Sequence, residues 1–151
     1  MGVGKASPLA FLKKRQLGTY TVNEDIEKEV AQFFQKRVRD RIIFLLSSKK
    51  RGDFFGKIAH TVENYIDCAL IVQKDKQLIE QNTISKYLGS RVYVIAECSP
   101  LDGEFAEIGE ALELWGHGVP YLLYGNGYLY VETEYDFSTH TAYILKGRDR
   151  L

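Results

Sequence analysis

Four groups of side chains in this 151-residue chain are of types and spacings that can do chemistry. Arg37 and Arg41 stand four apart in a basic run that continues through Lys49, Lys50 and Arg51. On a helix such residues share a face. Two planar guanidiniums there would make a two-pronged site for phosphate or carboxylate. The same pair could instead snorkel along the helix edge or pair with the chain's own acids. Lys57 and His60 follow on the polar side of a second helix, with Asp53 and Asn64. A His so placed can move protons near neutral pH, with Lys57 steadying an anion one turn away. A solvated helix face carries the same residue types.

Glu97, Asp102 and Glu104 cluster just beyond the apolar run 92–96. Open α/β sheets bind ligands outside the carboxyl ends of their strands, and three carboxylates can hold magnesium or manganese. A strand end, an N-cap and a first-turn acid use the same residues structurally. No His or further Asp at nuclease-like spacing supports the metal, and no cofactor is expected. The fourth group is tyrosine: Tyr121, Tyr124, Tyr128, Tyr130, Tyr135 and Tyr143. Strand alternation puts Tyr128, Tyr130 and Glu132 on one face, and Leu129 and Val131 on the other. With the second set in the core, Tyr128, Tyr130 and Tyr135 would form a partner interface. The nearby Glu132, Glu134 and Asp136 favour a protein partner or self-association there over nucleic acid. Tyr is also simply a good strand residue.

Twenty basic and twenty acidic residues cancel overall but not locally. Residues 1–60 carry thirteen basic and six acidic side chains; residues 61–151 carry seven and fourteen. Such a split fits a polyanion-binding half, or two halves that neutralise each other in the fold. Cys68 and Cys98 form neither a CxxC nor a zinc spacing. Each lies beside an apolar run, where a reduced Cys behaves as a small buried hydrophobe. A reducing, cytoplasmic setting is expected. The first residues lack an apolar stretch of signal-peptide length, and no run of about 18 apolar residues predicts a membrane span. Gly4-Lys5 lacks the upstream Gly and the adjacent Ser or Thr of a phosphate-binding loop. Ala6 stands where myristoylation needs Ser or Thr.

The length and 45% apolar content suit a single domain over 1–151 with one substantial core. Residues 1–20 carry little periodic signal and read as an extended arm. Asn23 suits a helix N-cap, and Ile26, Val30, Phe34, Val38, Ile42 and Leu45 predict one apolar stripe. Residues 42–46 could be a strand, but the continuing stripe favours helix. Asp53 would cap a second helix with Phe55, Ile58, Ala59, Val62 and Ile66 inside. Strands are predicted over 68–72 and 92–96, the latter buried on both faces for lack of alternation, with a helix over 76–88 between them. Asp102 would cap a further helix bearing Phe105, Ile108, Leu112 and Trp115. Asn126-Gly127 predicts a tight hairpin between 121–124 and 128–132, and 141–146 gives a last strand.

The expected fold is therefore α/β (α+β). A mixed sheet of about five strands would contain a parallel, right-handed βαβ unit and an antiparallel C-terminal meander. Helices, including an N-terminal pair, would pack on it. No serine elbow or metalloprotease motif is present. The leading expectation is a small binding or regulatory protein, adaptor- or immunity-like, using its Tyr-rich acidic sheet for a protein partner. Its basic N-terminal helix would meet a polyanion, nucleic acid included, or an acidic surface; no membrane is expected. The alternative is a phosphodiester-cleaving enzyme, with His60 and Lys57 catalytic and Arg37 and Arg41 clamping phosphate.

Overall fold

A computed structural model describes residues 23–75, 79–97, 99–113, 120–133 and 141–148, with His60 described by its backbone. The expected arm, Cys98, Trp115 and Tyr135 lie outside these residues. Asn23 starts α1 (Glu24–Ala31): its Oδ1 accepts from the Ile26 N–H at 3.2 Å, and Glu24, Asp25 and Glu27 occupy the first turn, where the helix dipole favours anions.

The stripe that predicts one long first helix is interrupted in the backbone. After α1 the chain turns, and Phe34 forms a β-bridge with Ile66. Gln35 N–H donates to the Tyr65 carbonyl, and Asp67 N–H to the Phe33 carbonyl, each at 2.8 Å. A 3-10 turn (Lys36–Val38) then leads into α2 (Arg39–Ser47). Val30, Phe34, Ile42 and Leu45 are all buried. The spacing thus reports burial on both sides of a break that tertiary pairing creates. Residues 42–46 are helical, as the stripe implies. α3 (Arg51–Thr61) folds back on α2, with Asp53 in its first turn and Lys50 at the cap position.

Strand β1 (Ile71–Asp75) begins later than the apolar run 68–72 implies. Asp67 accepts from the Ala69 N–H at 3.1 Å and organises a 3-10 turn over Cys68–Leu70. Cys68 is consequently exposed, where a buried hydrophobe is expected. Helix α4 (Gln81–Leu88) stops at Gly89, whose φ of 85° suits glycine. Then come β2 (Arg91–Ala96), β3 (Phe105–Glu107), α5 (Ile108–Leu112), β4 (Tyr121–Gly125), β5 (Tyr128–Glu132) and β6 (Ala142–Lys146).

The sheet has six strands in the order β1-β6-β5-β4-β2-β3, and every neighbouring pair is antiparallel. This corrects the five-strand expectation and its parallel βαβ unit. β1 and β2 do run in the same direction, but β6, β5 and β4 lie between them. The hairpin inserts there with β4 paired to β2 and β5 to β6, while helices bury both faces of its apolar strands. Asn126 and Gly127 adopt the expected positive φ values of 53° and 78° at its turn.

The sixth strand replaces an expected helix. Gly103, at φ 80°, turns the chain back along β2. Its N–H donates to the Val94 carbonyl at 2.8 Å, and the Val94 N–H to the Glu104 carbonyl at 2.9 Å. Only from Ile108 does the segment become helical.

Both faces of the sheet are covered. Tyr93, Ile95, Leu122, Leu129 and Val131 pack under α1, α2 and α3. Val94, Tyr121, Leu123, Tyr130 and Ile144 pack under α4 and α5. β2 is buried from Val92 to Ala96, as its unbroken apolar run predicts. No helix among the described residues is long and apolar enough to cross a membrane.

Candidate functional site

One ion-pair network ties the layers together. Arg51, only 7% exposed, grips Glu27 with Nη1 at 2.6 Å and Nη2 at 2.8 Å. Its Nε and Nη2 grip Asp102 at 2.9 and 2.8 Å, and Nη1 also donates to the Leu46 carbonyl at 2.8 Å. The Tyr93 hydroxyl donates to Glu27 Oε2 at 2.7 Å, and the Ala96 N–H to Asp102 Oδ1 at 3.0 Å. Burial raises the Tyr93 hydroxyl's pKa, and the neighbouring Glu27 carboxylate raises it further. A planar five-donor group is required, because a buried carboxylate without such partners is strongly unfavourable. In the sequence, the only signal is an acid, Glu27, on the buried side of α1.

This network also places the expected acid cluster. Asp102 is buried and turned to Arg51, Glu97 is half-buried and Glu104 is exposed. Among the described residues no group of three or more His, Cys, Asp or Glu could hold a metal ion. Arg51–Asp102 is also the one ion pair, among those between described residues, that joins the basic half to the acidic half.

The rest of the basic run stays outside. Lys36, Arg37, Arg41, Lys49 and Lys50 are exposed, and none forms an ion pair with another described residue. Arg37 and Arg41 are not the expected pincer. Arg37 donates from Nε to Gln35 Oε1 at 3.0 Å and from Nη2 to the Asn64 carbonyl at 2.9 Å. The Arg41 guanidinium lies 5.7 Å from the centre of the Phe44 ring. Phe44 is 48% exposed, the most exposed large apolar side chain among the described residues. Lys57 Nζ lies 5.3 Å from the centre of the half-buried Tyr65 ring. The side chain of His60, the expected proton carrier, lies outside the description.

The tyrosine face is not an outer surface. Tyr130 is 1% exposed, and Tyr128 packs its ring on Tyr87 of α4 with centroids 5.1 Å apart. Alternation does place Tyr128 and Tyr130 opposite Leu129 and Val131, but helices cover both sides. Glu132 shares the Tyr130 face at the end of β5, directly across from Tyr121. The Tyr130 hydroxyl donates to Glu132 Oε2 at 3.1 Å. The Tyr121 hydroxyl faces the same carboxylate without completing a well-aligned hydrogen bond. Burial pushes the Glu132 carboxyl up to about 7, against the opposing pull of the two hydroxyls. It also pushes both tyrosines far above their usual range, and the Glu132 carboxylate adds to that.

Glu63 shows the opposite environment on the surface. Lys74 at 2.5 Å and the Tyr143 hydroxyl at 2.6 Å hold its carboxyl below the usual range. These groups hold charge in place; of them, Glu27 also lines a small pocket with Glu24, Lys28, Ile43, Leu46 and Ser47. The features with chemistry still to offer are the uncompensated cations of α2 and its flanks and the aromatic rings beneath two of them. Comparison of the chain with protein-family models, with curated proteins and with solved structures finds no match to any of them.

Proposed function

We propose that the protein is a binding protein that engages a polyanion through the outer surface of its α2–α3 layer. The carrying observation is the local charge excess. From Lys36 to Lys57 the chain has eight basic residues against Asp40 and Asp53, and only Arg51 among the eight is drawn into the buried network. Five cations left exposed without an ion pair concentrate positive potential on one layer. Stability alone gives no reason to keep them together, since like charges repel. Among the described residues, the tyrosine strands lie under α4 and offer no comparable surface.

A titration against duplex DNA and heparin at several salt concentrations tests this reading. Binding should weaken steeply with salt, because each neutralised phosphate releases counterions. Replacing Arg37 and Arg41 together by Ala should lower the log–log slope for duplex DNA by about 2. Absence of binding to either polyanion at 50 mM salt, roughly the low end of the range where such contacts are strong, would reject it. So would a slope that the double variant leaves unchanged.

A further inference from the structure

Resting on that reading, we infer that the polyanion is single-stranded nucleic acid, its bases stacking on the exposed Phe44 and its phosphates meeting Arg41 and Arg37. The cations and rings are arranged in series. Arg41 covers the face of Phe44, three residues on along α2. Arg37 stands one turn before Arg41, in the 3-10 segment that leads into α2. Its Nη2 holds the Asn64 carbonyl. The next residue, Tyr65, carries Lys57 over its ring. The hairpin of α2 and α3 brings the second ring to the Arg37 end. Read from Phe44, the order is an exposed ring, two exposed cations, Arg41 and Arg37, and then the half-buried Tyr65 with Lys57 over it.

A duplex or a sulfated sugar needs the cations but has no use for the rings, because duplex bases are already stacked. Single strands expose π-faces, and each base on an aromatic side chain adds binding that depends little on sequence. An arginine over the same ring strengthens the site through cation–π attraction. Phe44 is also poorly explained by folding: it is half exposed, and the neighbouring Ile42, Leu45 and Leu46 already supply the buried side of α2. An acidic protein surface would satisfy the cations but would bury Phe44 only by presenting an apolar patch beside its acids.

The test compares a 12-nucleotide mixed-sequence RNA, the same sequence as DNA, its duplex, and heparin, all at one salt concentration. The full-length protein is used with Phe44→Ala, Phe44→Leu and Phe44→Trp variants, whose folding is checked by thermal melting. The expectation is preference for both single strands over the duplex. Phe44→Ala and Phe44→Leu should lose about tenfold on single strands and change little on duplex or heparin. Phe44→Trp should retain binding. A stronger response for RNA than for DNA would identify contacts to the 2′-hydroxyl. Equal binding to all four probes, with Phe44→Ala indistinguishable from the parent, would overturn the single-strand inference and leave polyanion binding standing. Binding to none of them would remove both.

Discussion

Glu132→Gln should make the protein more stable at neutral and alkaline pH, although it removes a carboxylate that accepts a hydrogen bond. The carboxyl sits 1% exposed between Tyr121 and Tyr130. Burial raises it from an ordinary 4.5 to about 7. The native state therefore keeps its proton through a range where the unfolded chain has lost it. Where the native state binds more protons, stability falls as pH rises. The loss begins near pH 4.5, accumulates to about pH 7 and is then constant. A shift of roughly 2.5 units at about 1.4 kcal/mol each gives about 3 kcal/mol. Gln has the shape of the protonated acid, keeps an oxygen for the Tyr130 hydroxyl and never ionises. Urea unfolding of both proteins at pH 5, 6, 7 and 8 reads the difference directly, because every other titrating group cancels in the comparison. The variant should gain on the parent with each step, reaching about 3 kcal/mol by pH 8. Parallel stability profiles, or a parent that gains on the variant as pH rises, would refute the account of a neutral buried acid.

Perturbations at three further positions follow from packing and backbone geometry. Arg51→Met should cost about 3–5 kcal/mol in urea unfolding, since it strands Glu27 and Asp102 inside the protein. Arg51→Lys should recover little of that, because one ammonium cannot reproduce two bidentate contacts. At Gly125 a Cβ would stand 2.5 Å from the Leu88 carbonyl oxygen. Gly125→Ala should therefore cost about 1–3 kcal/mol by forcing α4 from the sheet. Gly127→Ala, in open space but at φ 78°, should cost about 1 kcal/mol; a reversed ranking in melting temperature would contradict the packing described.

Local signals in the sequence determined a good deal about this protein. Asn23 as a cap, the Asn126-Gly127 turn and the burial of 92–96 on both faces each depend on a few adjacent residues. The physics there is short-ranged: a side-chain oxygen reaching an N–H three residues on, or a backbone angle that glycine tolerates. The alternation of Tyr128, Tyr130 and Glu132 against Leu129 and Val131 was equally legible, and so was the basic excess of residues 36–57.

Tertiary structure alone decided what those elements meet. The stripe from Ile26 to Leu45 reads as one helix, because burial periodicity carries no information about the Phe34–Ile66 bridge that breaks it. A helix-like spacing after Asp102 gave way to β3, because Val94 offered that backbone a partner. The order β1-β6-β5-β4-β2-β3 required the hairpin to enter between two strands that sequence proximity suggests as neighbours. Alternation identifies two faces of a strand but not which is covered, so α4 covers Tyr130 fully and Tyr128 in part, where an interface is expected. Among the basic residues, only the fold separated Arg51, bound between Glu27 and Asp102, from the cations left at the surface. That distinction depends on acids 24 and 51 residues away in the chain, a range over which composition and spacing carry no geometric information.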